Sequence, residues 1–325
     1  MTQRAGWVVA VAAAGLLFLL PGQVRNAYYL DAVINIFFWA MMSQAWNLLG
    51  GYAGQFSLGH TAFFGIGAYT STLLFLKFGI SPWLGMLAGG ALAALVGVGI
   101  GLITLRLRGP FFALATIAIG QVALVVALNA RFTGGSTGQQ IPFQSALTHM
   151  VFRGKVPYVQ LALALLILVM LVALWIDRSK LGFALIALRE DEDAARAIGV
   201  RTLRAKLTAT AISAFITAVG GTFYAQYIQF IDPVNTFSLT FSIQVALIAI
   251  VGGLSTPWGP LVGALIISPL NSMLRAYLGN AAAGLYNVIY GALLVIMVLA
   301  LPQGVVGLAR GWQQARRLRR GDEHA

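Results

Sequence analysis

An all-α, polytopic membrane fold of about ten helices is predicted by three properties of this sequence. Apolar runs repeatedly reach the roughly 18–20 residues that carry a helix across a bilayer, as in "WLGMLAGGALAALVGVGIGLITL" and "PYVQLALALLILVMLVALWI". Charge is scarce: 9% of the 325 residues are charged and 59% hydrophobic, with a mean hydropathy of +0.84, whereas soluble domains carry about 25% charged residues. The Lys and Arg residues lie almost entirely between the apolar runs, as they do in membrane proteins with a fixed orientation. The runs are also too long and too continuous for barrel strands, which alternate over about 10 residues.

Ten spans follow in order, at about 6–21, 29–49, 58–76, 83–105, 111–130, 157–176, 207–230, 237–252, 261–279 and 284–301. The chain reads as a single membrane domain over 1–325. The first run, in "MTQRAGWVVAVAAAGLLFLLPGQ", has the Arg and apolar core of a signal peptide. The following "PGQVRNAYY" offers no small-x-small cleavage site, so a retained helix is expected. The second span carries Asp31 near one end and the amides Gln44 and Asn47 on one face. The third begins at a glycine-rich stretch and is a candidate for a broken or re-entrant segment. In the fourth, Gly85, Gly89, Ala93, Gly97 and Gly101 recur every four residues and lay a smooth ridge for close helix packing. The fifth places Gln121 and Asn129 close to one face. The sixth is apolar over its whole length, and the eighth is short for a full crossing.

Counting Lys and Arg orients the bundle. With the N-terminus cytoplasmic, that side receives 15 of the 21 basic residues, including the seven from Arg178 to Lys206, and the other side six. Both termini are therefore expected in the cytoplasm of a bacterial inner membrane. The longest cytoplasmic connection is about 178–206, and the longest outer loop is about 131–156. The basic tail "RGWQQARRLRRGDEHA" is suited to the anionic lipid surface.

The net charge of +12 does not indicate a nucleic-acid partner, because no soluble basic domain exists to receive one. Zero cysteines exclude thiolate metal sites and disulfides. No cofactor is indicated. A proton-coupled carrier generally needs ionisable groups within the membrane. Here Asp31 is the one acid in the spans and His60 the one histidine. No G-x-x-x-x-G-K-[ST] occurs, so ATP hydrolysis by that route would need a separate polypeptide.

A handle for such a polypeptide stands in "DRSKLGFALIALREDEDAARAIGVRTLRAKL". Four of the chain's nine acids (Glu190, Asp191, Glu192 and Asp193) are consecutive here. Leu181, Leu185 and Leu188 share one helical face, Glu192 and Arg196 form an i,i+4 pair, and Gly199 is a helix stop. A solvated loop carrying its ordinary charges is the plainer reading of the same residues.

Three stretches resemble the permease subunits of bacterial branched-chain amino-acid ABC importers, particularly the second of the two types. They are "NLLGGYAGQFSLGHTAFFGIGAYTSTLL", "SKLGFALIALREDEDAARAIGVRTLRAKLTATAISAFITAVGGTFYA" and "AIVGGLSTPWGPLVGALI". The resemblance implies an ABC-importer permease fold, with the loop between spans six and seven docking an ATPase subunit. Arg189, Glu190, Asp191, Glu192 and Gly199 would then be the coupling residues. It also implies as partners a second homologous permease subunit, two ATP-binding subunits and an extracytoplasmic solute-binding protein. The outer loop departs from the family's glycine pattern, reading "TGGSTGQQIP".

The stretch "GGYAGQFSLGH" is the candidate translocation pathway. Gly50, Gly51 and Gly54 release the backbone from helical geometry, while Gln55, Ser57 and His60 bring polar groups to membrane depth, and Gln121 is a further candidate. Broken backbone in a membrane lines a watery cavity or is satisfied by protein. A packing and capping cluster is therefore the alternative. The lack of intramembrane charge suits a small zwitterion with an apolar side chain, and equally a neutral amide such as urea. A self-sufficient carrier or channel is a further reading. A membrane enzyme is the weakest, since no cluster of catalytic side chains is found.

Overall fold

The computed structural model describes residues 26–107, 109–278, 288–289, 291–292, 295–296 and 304–308. The predicted span 6–21 lies outside these residues, as does most of 284–301. Among the described residues, seven helices are long and apolar enough to cross a membrane, and an eighth apolar helix follows them. Together they match the eight predicted spans that fall within the described chain.

Helix α1 (Ala27–Asn47) starts at Asn26, whose Oδ1 accepts the Tyr28 N–H at 2.9 Å. It runs into a single wide turn at Leu48–Tyr52, with residues 53–59 non-helical beyond it. α2 (His60–Phe78) resumes the path and ends at Gly79, whose φ of 66° makes it a left-handed cap. α3 (Pro82–Thr104) and α4 (Pro110–Asn129) each open on a proline, which has no N–H to leave unpaired in the first turn. The loop beyond α4 is folded. Gly134, Gly135 and Gly138 take positive φ, and β1 (Gln139–Gln140) pairs antiparallel with β2 (Phe230–Ile231). α5 (Lys155–Asp177) follows. Two short helices come next, α6 (Lys180–Glu190) and α7 (Glu192–Ala197), then the long α8 (Thr202–Ile228). After β2, α9 (Pro233–Thr236) and α10 (Leu239–Gly252) together form one crossing. The eighth predicted span is short because a bend at Phe237–Ser238 splits this segment. α11 (Gly259–Leu278) carries Pro269 within it.

The glycine ridge of α3 is spent inside the chain. Gly89 lies against Gly67 of α2, where an added Cβ would come within 3.2 Å, and Gly97 against Ala214 of α8 and Phe63, at 3.2 and 3.3 Å. α2 and α8 approach still more closely, since a Cβ on Gly67 would overlap the Ala218 carbonyl and one on Gly221 the Phe64 carbonyl. Small residues are what allow such contact, which dispersion must stabilise because lipid is as apolar as the helices. α1 passes through the centre of the bundle, with Ala40 to Leu49 all buried.

The bundle has two polar ends. Asp31 of α1, Lys155 of α5 and Tyr227 of α8 meet at one. At the other, the Tyr52 hydroxyl donates to Asp177 Oδ1 at 2.9 Å and the α6–α7 pair folds beneath. Replacing Gly67 with alanine should cost about 1–3 kcal/mol by overpacking. The exposed Gly99, with nothing near its Cβ position, should tolerate alanine without loss. Thermal unfolding of the two variants in detergent checks the contrast.

Candidate functional site

The candidate pathway residues 50–60 lie where the central span breaks. The turn at Leu48–Tyr52 has i→i+5 geometry, a rare form that tends to mark functional positions. The turn is tied to residues 255–256, which meet the Gly51 carbonyl and the Asn47 side chain. Asn47, fully buried, accepts the Ser255 N–H on Oδ1 at 3.0 Å and donates from Nδ2 to the Thr256 carbonyl at 3.1 Å. The Ser255 hydroxyl donates to the Gly51 carbonyl at 2.6 Å. Gly51 is required here, because a Cβ would collide with the Asn47 side chain. Gly50 is likewise covered, by the Trp46 ring.

Beyond the turn the chain is non-helical as far as Gly59. Gly54 takes a φ of 65° and lies against Arg189, so a side chain there would be strained and obstructed at once. Gln55 is half-buried with its amide 3.5 Å from the Ala53 carbonyl, a weak contact that leaves it adjustable. Ser57 is buried. Its carbonyl accepts the indole N–H of Trp46 at 2.6 Å, and its hydroxyl accepts the Gly59 N–H at 3.3 Å. Thr116 of α4 accepts the Leu58 N–H at 3.0 Å.

His60 is fully enclosed, with Nε2 2.8 Å from the Ser213 hydroxyl. Ser213 gives its single proton to the Ala45 carbonyl at 2.6 Å, so His60 Nε2 is the donor to Ser213. This chain ties α2, α8 and α1 together and makes His60 an interhelical strut. Gln44 is also fully buried, and among the described residues neither atom of its amide has a hydrogen-bond partner. Gln121 is not gathered into this cluster. Like Asn129, it sits on the exposed surface of α4, where the Asn129 amide donates to the Val125 carbonyl at 2.8 Å.

The candidate coupling residues occupy α6, α7 and the turn after them. Leu185 and Leu188 are buried and Leu181 packs beside them, as the spacing predicts. The acids divide by local role. Glu190 is exposed and paired with Arg189 at 2.5 Å. Asp191 caps α7, its Oδ1 accepting the Asp193 and Ala194 N–H groups at 2.9 Å each. Glu192 turns inward, pairing with Lys206 at 2.7 Å and Arg196 at 3.2 Å, and Lys206 is only 1% exposed. Gly199, at φ 89°, ends α7, its N–H donating to the Arg196 carbonyl at 3.0 Å.

The pathway and coupling segments meet through two contacts. The Arg189 guanidinium donates to the Ser255 hydroxyl, which in turn holds Gly51, and the Arg189 stem covers Gly54. Ser255 itself has a φ of 56°, an uncommon conformation for a serine. Sequence reasoning missed Ser255, Ser213, Lys206 and Thr116. Ser255 stands inside "GGLSTPWG", but nothing in that local pattern points to Gly51, 204 positions earlier.

The family model for the permease component of branched-chain amino acid transport systems matches residues 28–298. The chain is 32% identical to the high-affinity branched-chain amino acid transport system permease protein LivM of Escherichia coli (strain K12), over 81% of this chain and 66% of LivM. It therefore spans just under two thirds of that relative's length. It is 29% identical to the probable branched-chain amino acid transport permease protein LivH of Methanocaldococcus jannaschii, over 78% of this chain and 82% of that protein. It is 25% identical to the fructose import permease protein FrcC of Rhizobium meliloti, over 70% of this chain and 65% of FrcC. No solved structure gives a significant match. With a matched region reaching from the first turn of α1 to beyond α11, the chain belongs to the permease component family of branched-chain amino acid transport systems.

Proposed function

We propose that this chain is a membrane subunit of an ATP-driven importer for branched-chain or similar amino acids. It would work with a second, homologous permease subunit, two ATP-binding subunits and an extracytoplasmic solute-binding protein. In this reading the α6–α7 end faces the cytoplasm of a bacterial inner membrane, in keeping with the seven basic residues between Arg178 and Lys206. The observation that carries it is the Arg189–Ser255–Gly51 connection. An exposed, charged helical hairpin, the kind of surface a soluble ATPase can grip, is joined through one hydroxyl to the broken turn of the central span. Movement of α6 would pull on Ser255 and release or tighten the Gly51 carbonyl, changing the packing of residues 50–57. The transported solute would pass along that segment. A neutral amide such as urea suits the same uncharged stretch.

Within the hairpin, Glu190 and the exposed face of α7 supply the docking charge, while Glu192 holds the hairpin to α8 through Lys206. Gln121, on the exposed face of α4, is suited to the surface shared with the second permease subunit, since an amide gains little from facing lipid.

The assembly is tested by tagging the chain, purifying it from native membranes in mild detergent and identifying what accompanies it. Recovery of a second permease and an ATPase is expected; a pure homo-oligomer would favour a self-sufficient carrier. Changing Glu190 to Lys together with Asp191→Asn, which keeps the α7 cap, should lower ATP-driven leucine uptake at least tenfold. The same pair should leave stability within about 0.5 kcal/mol, because both positions are exposed. Glu192→Gln should instead destabilise the fold by about 3 kcal/mol or more, since it strands the buried Lys206 ammonium. Unfolding curves separate the two. Ser255→Gly keeps the backbone conformation but removes the hydroxyl. ATP hydrolysis should persist while uptake falls about tenfold, and equal retention of both would remove Ser255 from the coupling route.

A further inference from the structure

At the end of the bundle opposite the α6–α7 hairpin, a cleft of about 940 Å³ opens between α1, α8, α10 and α11. Its size falls at the upper end of the range of roughly 300–1,000 Å³ found for small-ligand sites. Two kinds of wall meet in it. One is ionic: Lys155 is paired with Asp31, which also accepts the Tyr227 hydroxyl. The other is aromatic: Phe38, Trp39, Phe64, Phe223 and Phe241 line the cleft. Phe64 stacks on Phe241 at 4.3 Å and Trp39 lies 5.6 Å from the same ring.

The ion pair is not sealed into the fold. The Lys155 and Asp31 side chains are 37% and 35% exposed, and both line the cleft, so a solute can reach each of them. Lys155 is also the first residue of α5, where the helix dipole disfavours a cation. Its charge therefore gains from an anionic neighbour, which Asp31 supplies and a ligand carboxylate could supply equally well.

We infer that this cleft receives a free amino acid with an apolar side chain, its ammonium taken by Asp31 and its carboxylate by Lys155. The ligand opens the Asp31–Lys155 pair and closes two new ones, so the number of charge pairs rises while no charge is left alone. Its side chain lies on the aromatic wall, where burial of apolar area favours it, and the ammonium gains further from the ring faces. The inference rests on the proposed importer function and extends it. The Asp31–Lys155 pair becomes the first group of this chain to meet the solute, ahead of the broken turn at Leu48–Tyr52. A zwitterionic lipid headgroup presents the same two charges and is the competing source of this chemistry.

The test uses the full chain in nanodiscs, with the partner subunits that co-purify, and tritiated L-leucine as probe. Saturable leucine binding is expected, weakened at least tenfold by Asp31→Asn and by the paired change Asp31→Asn with Lys155→Gln. The paired change keeps shape and leaves no stranded charge, so it remains informative if the single variant fails to fold. 4-Methylpentanoate, which lacks the ammonium, and 3-methylbutylamine, which lacks the carboxylate, should each compete at least tenfold less well than leucine. Unchanged binding in the paired variant overturns the assignment, as does equal competition by either analogue. A phospholipid held by the native protein and lost in the paired variant, seen by native mass spectrometry, assigns the cleft to lipid instead. Unaltered binding with slower uptake would make the pair a helix clamp. ATP-driven leucine uptake by the native assembly keeps the two readings apart. If uptake is present and its KM is untouched by the paired change, the cleft is refuted and the importer stands; if uptake is absent while leucine binds, the reverse holds.

Discussion

A membrane interior offers no water to an unpaired N–H or C=O, so every departure from helix must be repaired by other protein groups. That constraint governs the centre of this molecule. α1 gives up regular helix at Leu48, and the groups freed by the break are met partly from far along the chain, by Ser255 after α10 and Thr116 of α4, and partly by Trp46 of α1 itself, while Asn47 holds the Ser255–Thr256 turn in place. The break thus enforces the positions of the elements around it. Whatever moves one of those elements must exchange the hydrogen bonds of the break.

The tightest helix contacts are built on the opposite principle. α2, α3 and α8 pack backbone against backbone at Gly67, Gly89 and Gly221, while Gly97 of α3 receives Ala214 and the Phe63 ring. Large numbers of close contacts, each weak, hold this frame in one arrangement. Beside it, the broken turn is held by a few directional bonds, and the weak contact of Gln55 with Ala53 shows where slack remains. A close-packed frame thus stands next to a segment held by a small number of directional bonds.

Charge is concentrated at the ends of the bundle because only there can it be hydrated or paired at tolerable cost. At the hairpin end the four consecutive acids are not equivalent: one caps a helix, one neutralises a buried lysine, and the remainder face outward. At the other end, Asp31 and Lys155 form an ion pair in the wall of a partly open cleft. Both ends therefore combine a structural pair with charge that a visitor can reach.

The sequence by itself determined the membrane class, the spans within the described chain, the apolar face of α6, the helix stop at Gly199 and the unusual character of residues 50–60. Each of these is written in local periodicity, composition or backbone freedom, which neighbouring residues specify among themselves. Tertiary structure alone decided that the α3 ridge serves α2 and α8, that His60 is a strut to Ser213, that Glu192 belongs to Lys206, and that Ser255 joins Arg189 to Gly51. The partners in these contacts stand far apart along the chain, by 204 positions for Ser255 and Gly51 and 153 for His60 and Ser213. Hydrogen bonds and ion pairs are short-ranged and directional, so which pairs form depends on how the helices dock, and no local pattern encodes that.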